Sequence, residues 1–259
     1  MHKSRFLSTF ATIRLCLVLL FAIPTLTALA DTDYRVLSEK ASRFYEHKEW
    51  ASALAMYELM LMQRPGDTET YGLAIIVNGI NGKPNEQMRL IEQTQLNGIA
   101  MDDIFHIVKK ESFALGKPQI YENLLTTVKA RQPWMRRSID IRLIDFYEKR
   151  NNAPKMIELS DSLLALNPGD NAILQVKARG LMLEDRPKEA IYTYKQILAT
   201  DSTCMDALLS IGTYYHEIAT RQNLHPDSPE AKEARNYLSK AYAIRRNPHI
   251  AQLLSDLSK

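Results

Sequence analysis

From about residue 34 onward, apolar residues recur at intervals of three and four. No stretch beyond Asp31 sustains the every-second-residue alternation of a half-buried strand. That spacing predicts amphipathic helices throughout. The clearest block is Tyr34–Asp67. Leu37, Ala41, Phe44 and Tyr45 make one apolar face, Trp50, Ala53, Leu54, Tyr57, Met60 and Leu61 make another, and His47-Lys48-Glu49 breaks the pattern between them. Pro65-Gly66-Asp67 closes the block, because proline cannot continue a helix and glycine accepts the left-handed cap. The block reads as helix, turn, helix.

Weaker copies follow at a spacing near 34 residues. Asn171–Cys204 carries Ala178, Ala190, Tyr194 and Leu198 in matching places. Arg137–Asp170 carries Leu143 and Tyr147, and its Pro168-Gly169-Asp170 repeats the first triplet 103 residues on, close to three periods. Between them, 68–100 and 101–136 each read as a helix pair, turning at Gly82-Lys83-Pro84 and Gly116-Lys117-Pro118; the two glycines lie 34 apart. The last pair, 205–248, has Gly212 and Tyr215 in its first helix and Ala234, Leu238 and Ala241 in its second. Tyr215 and Ala234 are 19 residues apart, where Phe44 and Ala53 are nine apart, so this hairpin is expected to carry ten extra residues at its tip. Ser228-Pro229-Glu230 restarts the helix with an N-cap, proline at the first turn and an early acid. A helix over 249–257 would cover the exposed end.

The small residues Ala41 and Ala53, the aromatics Phe44, Trp50 and Tyr57, and Pro65 together resemble a tetratricopeptide repeat (TPR). Small residues let two helices approach, and aromatics fill the space beside them. The chain departs from the family at Lys48, where glycine is usual, and at Met60, where a small residue is usual; Met156 and Ser160 weaken the fourth copy. The resemblance implies an all-α, right-handed α-solenoid of about six TPR-like hairpins with a C-terminal capping helix, forming a single unit over 31–259. One hairpin cannot bury its own faces, so neighbours are required.

Residues 1–30 stand apart. His2, Lys3 and Arg5 begin the chain, Arg14 precedes the apolar run Leu15–Ile23, and Ala28-Leu29-Ala30 offers a small-x-small cleavage site, the layout of a secretory signal. The uncharged run is shorter than the roughly 20 residues that a spanning helix needs. It lacks the small residues before Cys16 that lipidation needs. Cleavage after Ala30 is expected, with the protein in the periplasm or outside the cell and no membrane insertion afterwards.

This segment holds three Lys/Arg and no acid, so beyond it 30 basic residues balance 30 acidic ones. A neutral chain without basic runs argues against nucleic acid, whose binding needs clustered cations. Cleavage also leaves Cys204 alone, so no internal disulfide is expected and packing must hold the fold.

Candidate chemistry is sparse. His216-Glu217 begins a zinc-protease motif, but Thr220 stands where the second histidine would be needed one helical turn on. His47, His106, His225 and His249 lack ligand spacing, and there is no GxSxG or phosphate-binding loop. No catalytic residue, metal or cofactor is expected. Met56 and Met60, beside Trp50 and Tyr57, read as core.

The expected function is a non-enzymatic module binding a protein or peptide partner, as adaptor, scaffold or assembly factor. A structural, self-associating envelope subunit is the alternative, and a hydrolase using scattered carboxylates a remote one. In the resembled family the first helix of each hairpin faces the ligand. Carried onto this chain, that implies a groove formed by Arg35, Tyr45, Phe105, Lys109, Asp145, Gln175, Arg179, Thr213 and His216, with Ile141 beside them. The family's carboxylate clamp of Lys and Asn is missing; Ser38 and Ser42 occupy those places.

Overall fold

A computed structural model of the chain describes residues 33–258. The expected signal segment and its cleavage site lie outside the described residues. Among those residues the fold is all-α: TPR-like helical hairpins with a terminal helix. The elements are α1 (33–46), α2 (Trp50–Gln63), α3 (Thr68–Ile80), α4 (Pro84–Leu96), α5 (Met101–Ala114), α6 (Gln119–Arg131), a 3-10 turn (Pro133–Met135), α7 (Arg136–Glu148), α8 (Ala153–Leu164), α9 (Asn171–Leu183), α10 (Pro187–Thr200), α11 (Met205–Arg221), α12 (Pro229–Ile244) and α13 (Pro248–Asp256).

The turn inside each hairpin is the same motif six times over. Lys48, Gly82, Gly116, Asn151, Asp185 and Asn223 all have positive φ, between 48° and 66°. At each, two backbone bonds close a Schellman cap. In the first hairpin Glu49 N donates to Phe44 O (2.8 Å) and Lys48 N to Tyr45 O (3.0 Å), and the pair recurs at Lys83 and Gly82 and at Arg186 and Asp185. Lys48 thus occupies the left-handed position with a side chain that disfavours it. The second helices then restart with proline in the first turn, at Pro84, Pro154, Pro187 and Pro229. Asp67 and Asp170, which follow the two Pro-Gly pairs, cap α3 and α9 by accepting from Thr70 N (3.2 Å) and Ile173 N (3.4 Å).

The chain divides into two compact units at Val128/Lys129, within α6, where the sequence reading expects one. In the first unit α3 packs against α2, α4 and α5. It is buried over Thr70–Gly72 and Ala74–Asn78, because its only charged residue is Glu69 in the first turn. Ile75, Ile76, Ile91, Ile104, Leu124 and Leu125 are wholly buried, each worth about 1.5–3 kcal/mol against exposure. Gly72 lets α5 come close: a Cβ there would lie 2.4 Å from Ile107 Cγ2. Two polar side chains inside donate to nearby backbone, Asn78 Nδ2 to Ala74 O (2.9 Å) and Gln87 Nε2 to Ile75 O (3.0 Å), while Asn78 Oδ1 has no partner among the described residues.

In the second unit one core cluster joins Leu174, Ala178 and Leu181 of α9 to Ala190, Tyr194 and Ile197 of α10 and to Ala207 and Ile211 of α11. A second joins Leu208 and Ala219 to Ala234, Leu238 and Ala241, with Ile250 of α13. The ten extra residues are absorbed mainly by lengthening: α11 has 17 residues and α12 has 16, leaving a short tip over 222–228. Arg235 pins that tip, donating from Nη2 to Pro226 O (2.5 Å) and from Nη1 to Leu257 O (3.3 Å) at the end of α13. Asp140 is 1% exposed and meets Lys129 Nζ at 2.5 Å, a buried charge with its counter-ion.

Candidate functional site

The candidate residues of the first unit do not form one open face. Phe105 is 2% exposed and belongs to the core, which corrects its assignment to a groove. The physical reason is the packing of α5 on α3, which turns that face of α5 inward. Tyr45 is half-buried, stacks edge-on against Trp50 with ring centroids 5.4 Å apart, and donates its hydroxyl to Glu111 Oε2 at 3.1 Å. Burial first, and then the Glu111 carboxylate, push the Tyr45 hydroxyl well above the usual tyrosine value; the same two causes raise Tyr57. Tyr45 therefore ties α1 to α5. Arg35 is exposed and pairs with Glu39 one turn on, at 3.9 Å. Lys109 is half-buried on α5.

A cleft of about 500 Å³ does open beside α1, lined by Tyr34, Ser38, Ser42, Arg64, Asp67 and Thr70 over a floor of Ala41, Tyr57 and Met60. Its polar groups are largely engaged with each other. Tyr34 donates to Asp67, Thr70 Oγ1 donates to Asp67 Oδ2 (2.9 Å), and the Arg64 guanidinium lies 3.9 Å from the Tyr34 ring centroid.

The second unit brings its candidates together on the first helices of successive hairpins. Arg179 of α9 forms an ion pair with Glu148 of α7, bridging the two helices. Gln175, one turn before Arg179, donates from Nε2 to Cys204 Sγ at 3.1 Å, where Cys204 is the buried N-cap residue of α11. Asp145, one turn before Lys149, pairs with it at 2.9 Å. Thr213 turns its hydroxyl onto its own helix, donating to Leu209 O at 2.7 Å, and so offers no free donor. His216 is half-buried, and its Nε2 is inaccessible to solvent without a hydrogen-bond partner among the described residues; Arg179 Nε is in the same state. A buried polar atom left unpaired costs about 1–3 kcal/mol.

Glu148 and Glu111 were missed in the sequence. Glu148 stands at the place in its hairpin that Tyr45 and His216 hold in theirs, so the same spacing rule points to it. Glu111 has no such signal, since it depends on how closely α5 approaches α1.

His216 and Glu217 are followed by a Thr220 hydroxyl that donates to His216 O at 2.9 Å, an ordinary helix-surface arrangement. Among the described residues no group of three or more His, Cys, Asp or Glu is placed to hold a metal ion, and no helix is long and apolar enough to cross a membrane.

No protein-family model matches the chain, and no curated protein matches it in sequence. Its helical hairpins are similar to those of several solved structures. PilW, a type IV pilus biogenesis factor, is 14% identical with a TM-score of 0.47, over 85% of this chain and 98% of that one. The C-terminal part of a TPR repeat-containing protein from Cytophaga hutchinsonii is 12% identical with a TM-score of 0.41, over 85% and 94%. The TPR2AB domain of yeast Sti1, in a complex with pHSP90, is 14% identical with a TM-score of 0.37, over 88% and 99%. At these identities the likeness is one of helical-hairpin fold.

Proposed function

We propose that this chain of TPR-like hairpins is a non-enzymatic protein-interaction module, exported by its N-terminal signal and serving as an adaptor or assembly factor in the cell envelope. Its partner is an extended protein segment that lies along the first helices of the second unit. The observation carrying this reading is the half-buried polar row of Glu148, Arg179, Gln175 and His216, in which the paired Arg179 and Glu148 side chains remain 41% and 37% exposed. A peptide backbone carries a donor and an acceptor at nearly every residue, which suits a mixed, part-exposed polar row of this kind. The balance of charge beyond residue 30 favours a protein ligand over nucleic acid. The export part rests on the basic start, the Leu15–Ile23 apolar run and the small residues at Ala28 and Ala30.

In-cell crosslinking followed by affinity capture from the envelope fraction tests both parts. Wild type should be recovered there with a discrete partner. The Arg179→Ala/His216→Ala variant should lose about tenfold in capture, the loss of one to two polar contacts, at unchanged helicity. Undiminished capture by the variant removes the row as the binding site, and recovery only from the cytosol removes the export reading.

A further inference from the structure

A cleft of about 450 Å³ lies between the C-terminal halves of α2 and α4 in the first unit, on helices that take no part in the proposed peptide site. Met62 and Leu96 stand on its walls and are 78% and 86% exposed, above every other large apolar side chain among the described residues. Two such side chains beside one cleft make an exposed apolar patch of the kind that marks an interaction surface. Charges at its rim restrict what fits. Arg89 is committed to Glu86 (2.7 Å) and to Gln93 Oε1 (3.2 Å). Glu58 makes no hydrogen bond or ion pair among the described residues, so the cleft presents an apolar floor with one free carboxylate.

The second unit displays the complementary group. Trp134 is 73% exposed in the Pro133–Met135 turn, whose proline fixes the backbone and whose Met135, 6% exposed, anchors it to the core. Two residues on, Arg136 is exposed and likewise unpaired. An exposed indole and a guanidinium are the side-chain types that dominate protein interfaces, the aromatic burying much area for little lost side-chain freedom.

We propose that Trp134 and Arg136 of one copy dock into the α2–α4 cleft of a second copy, the indole against Met62 and Leu96 and the guanidinium on the Glu58 carboxylate. The contact joins different surfaces of the two copies, so it is either reciprocated across a two-fold axis or continued from copy to copy. A single knob and cleft is small beside the roughly 800 Å² per partner of a stable interface, so association is expected only at high protein concentration. The inference stands independently of the peptide-binding row.

Sedimentation velocity of the processed chain over rising concentration should show mass growing beyond one copy. Trp134→Ala and Leu96→Asp, both at exposed positions, should each weaken association roughly thirtyfold or more without changing helicity. Mixing these two variants should restore one contact, because the first keeps an intact cleft and the second an intact knob. Glu58→Arg and Arg136→Glu should each weaken association alone and recover it when combined. A single-copy mass at every concentration overturns the proposal. So does association that Trp134→Ala leaves unchanged, or variants that fail to complement.

Discussion

The helices α3 and α9 occupy the same place in their hairpins, yet one is interior and the other keeps part-exposed charges. After Glu69, α3 has no charged residue, and it is enclosed by α2, α4 and α5. The helix α9 buries Ile173, Leu174, Val176, Ala178 and Leu181 but keeps part-exposed charges on two sides, Lys177, paired to Asp161 of α8 at 2.7 Å, and Arg179, paired to Glu148 of α7. An apolar run on all sides draws neighbours onto every face of a helix, whereas charged positions keep parts of its surface solvated. A shared repeat period therefore does not imply a shared groove. The first unit encloses this helix, and the second leaves charged groups of its counterpart part-exposed.

The difference in enclosure between α3 and α9 shows most strongly at their glycines. Gly72→Ala places a Cβ within 2.8 Å of Ile107 Cβ, too near the backbone for a simple rotamer change, so α5 must move off α3. It should destabilise the chain by about 2 kcal/mol, overpacking outweighing the gain in helix propensity. Gly180→Ala on α9 meets Ile157 Cγ1 at 3.0 Å, a side-chain atom that can yield a few tenths of an ångström. Its effect should lie within about 1 kcal/mol of zero. Denaturant midpoints of the two variants decide the matter, and equal losses would show that α3 and α9 are enclosed alike.

Next comes the tie across the first unit. Tyr45→Phe removes the bond to Glu111 and should cost about 1 kcal/mol at neutral pH. The folded state raises the Tyr45 pKa, so its protonated form is the one that folding favours. That contribution is fully present below the ordinary tyrosine value of about 10 and is lost as pH rises through the higher folded value. A stability difference between wild type and variant that persists unchanged into strongly alkaline solution would contradict this assignment.

The smallest effect concerns the turn. Lys48 holds φ of 60° where Gly82 and Gly116 hold 65° and 66°. Lys48→Gly should stabilise the first hairpin by about 0.5–1 kcal/mol, the relief of the left-handed backbone exceeding the entropy glycine loses. Thermal unfolding of the variant reads this directly, and a lowered midpoint would show that the lysine side chain contributes more than its backbone costs.

Much of the fold was legible because its signals are local. The face of Ala53, Tyr57 and Met60 is in the core as its spacing suggests, and Ser228 caps α12 through Ala231 N at 3.2 Å. The turns at Gly82 and Gly116 announced themselves through glycine; those at Asn151 and Asp185 did not, since either residue is equally at home on a helix surface. The candidate site was legible where a polar residue falls on a stripe that stays open, as with Arg179 and Gln175. It failed at Phe105, whose place in the repeat suggests a groove while its surroundings place it in the core.

By itself the sequence determined the helical hairpin and its period near 34 residues, because apolar spacing, proline and the left-handed turn act within a few residues of one another. Tertiary structure alone decided which inner face closes and which stays open. That outcome depends on the distance between helices, set at Gly72 by the missing Cβ and at Glu148 by a partner 31 residues away. It also decided that the chain divides within α6, and that two atoms on α9 and α11 are buried without partners. Burial belongs to a neighbourhood, and no single helix contains that information.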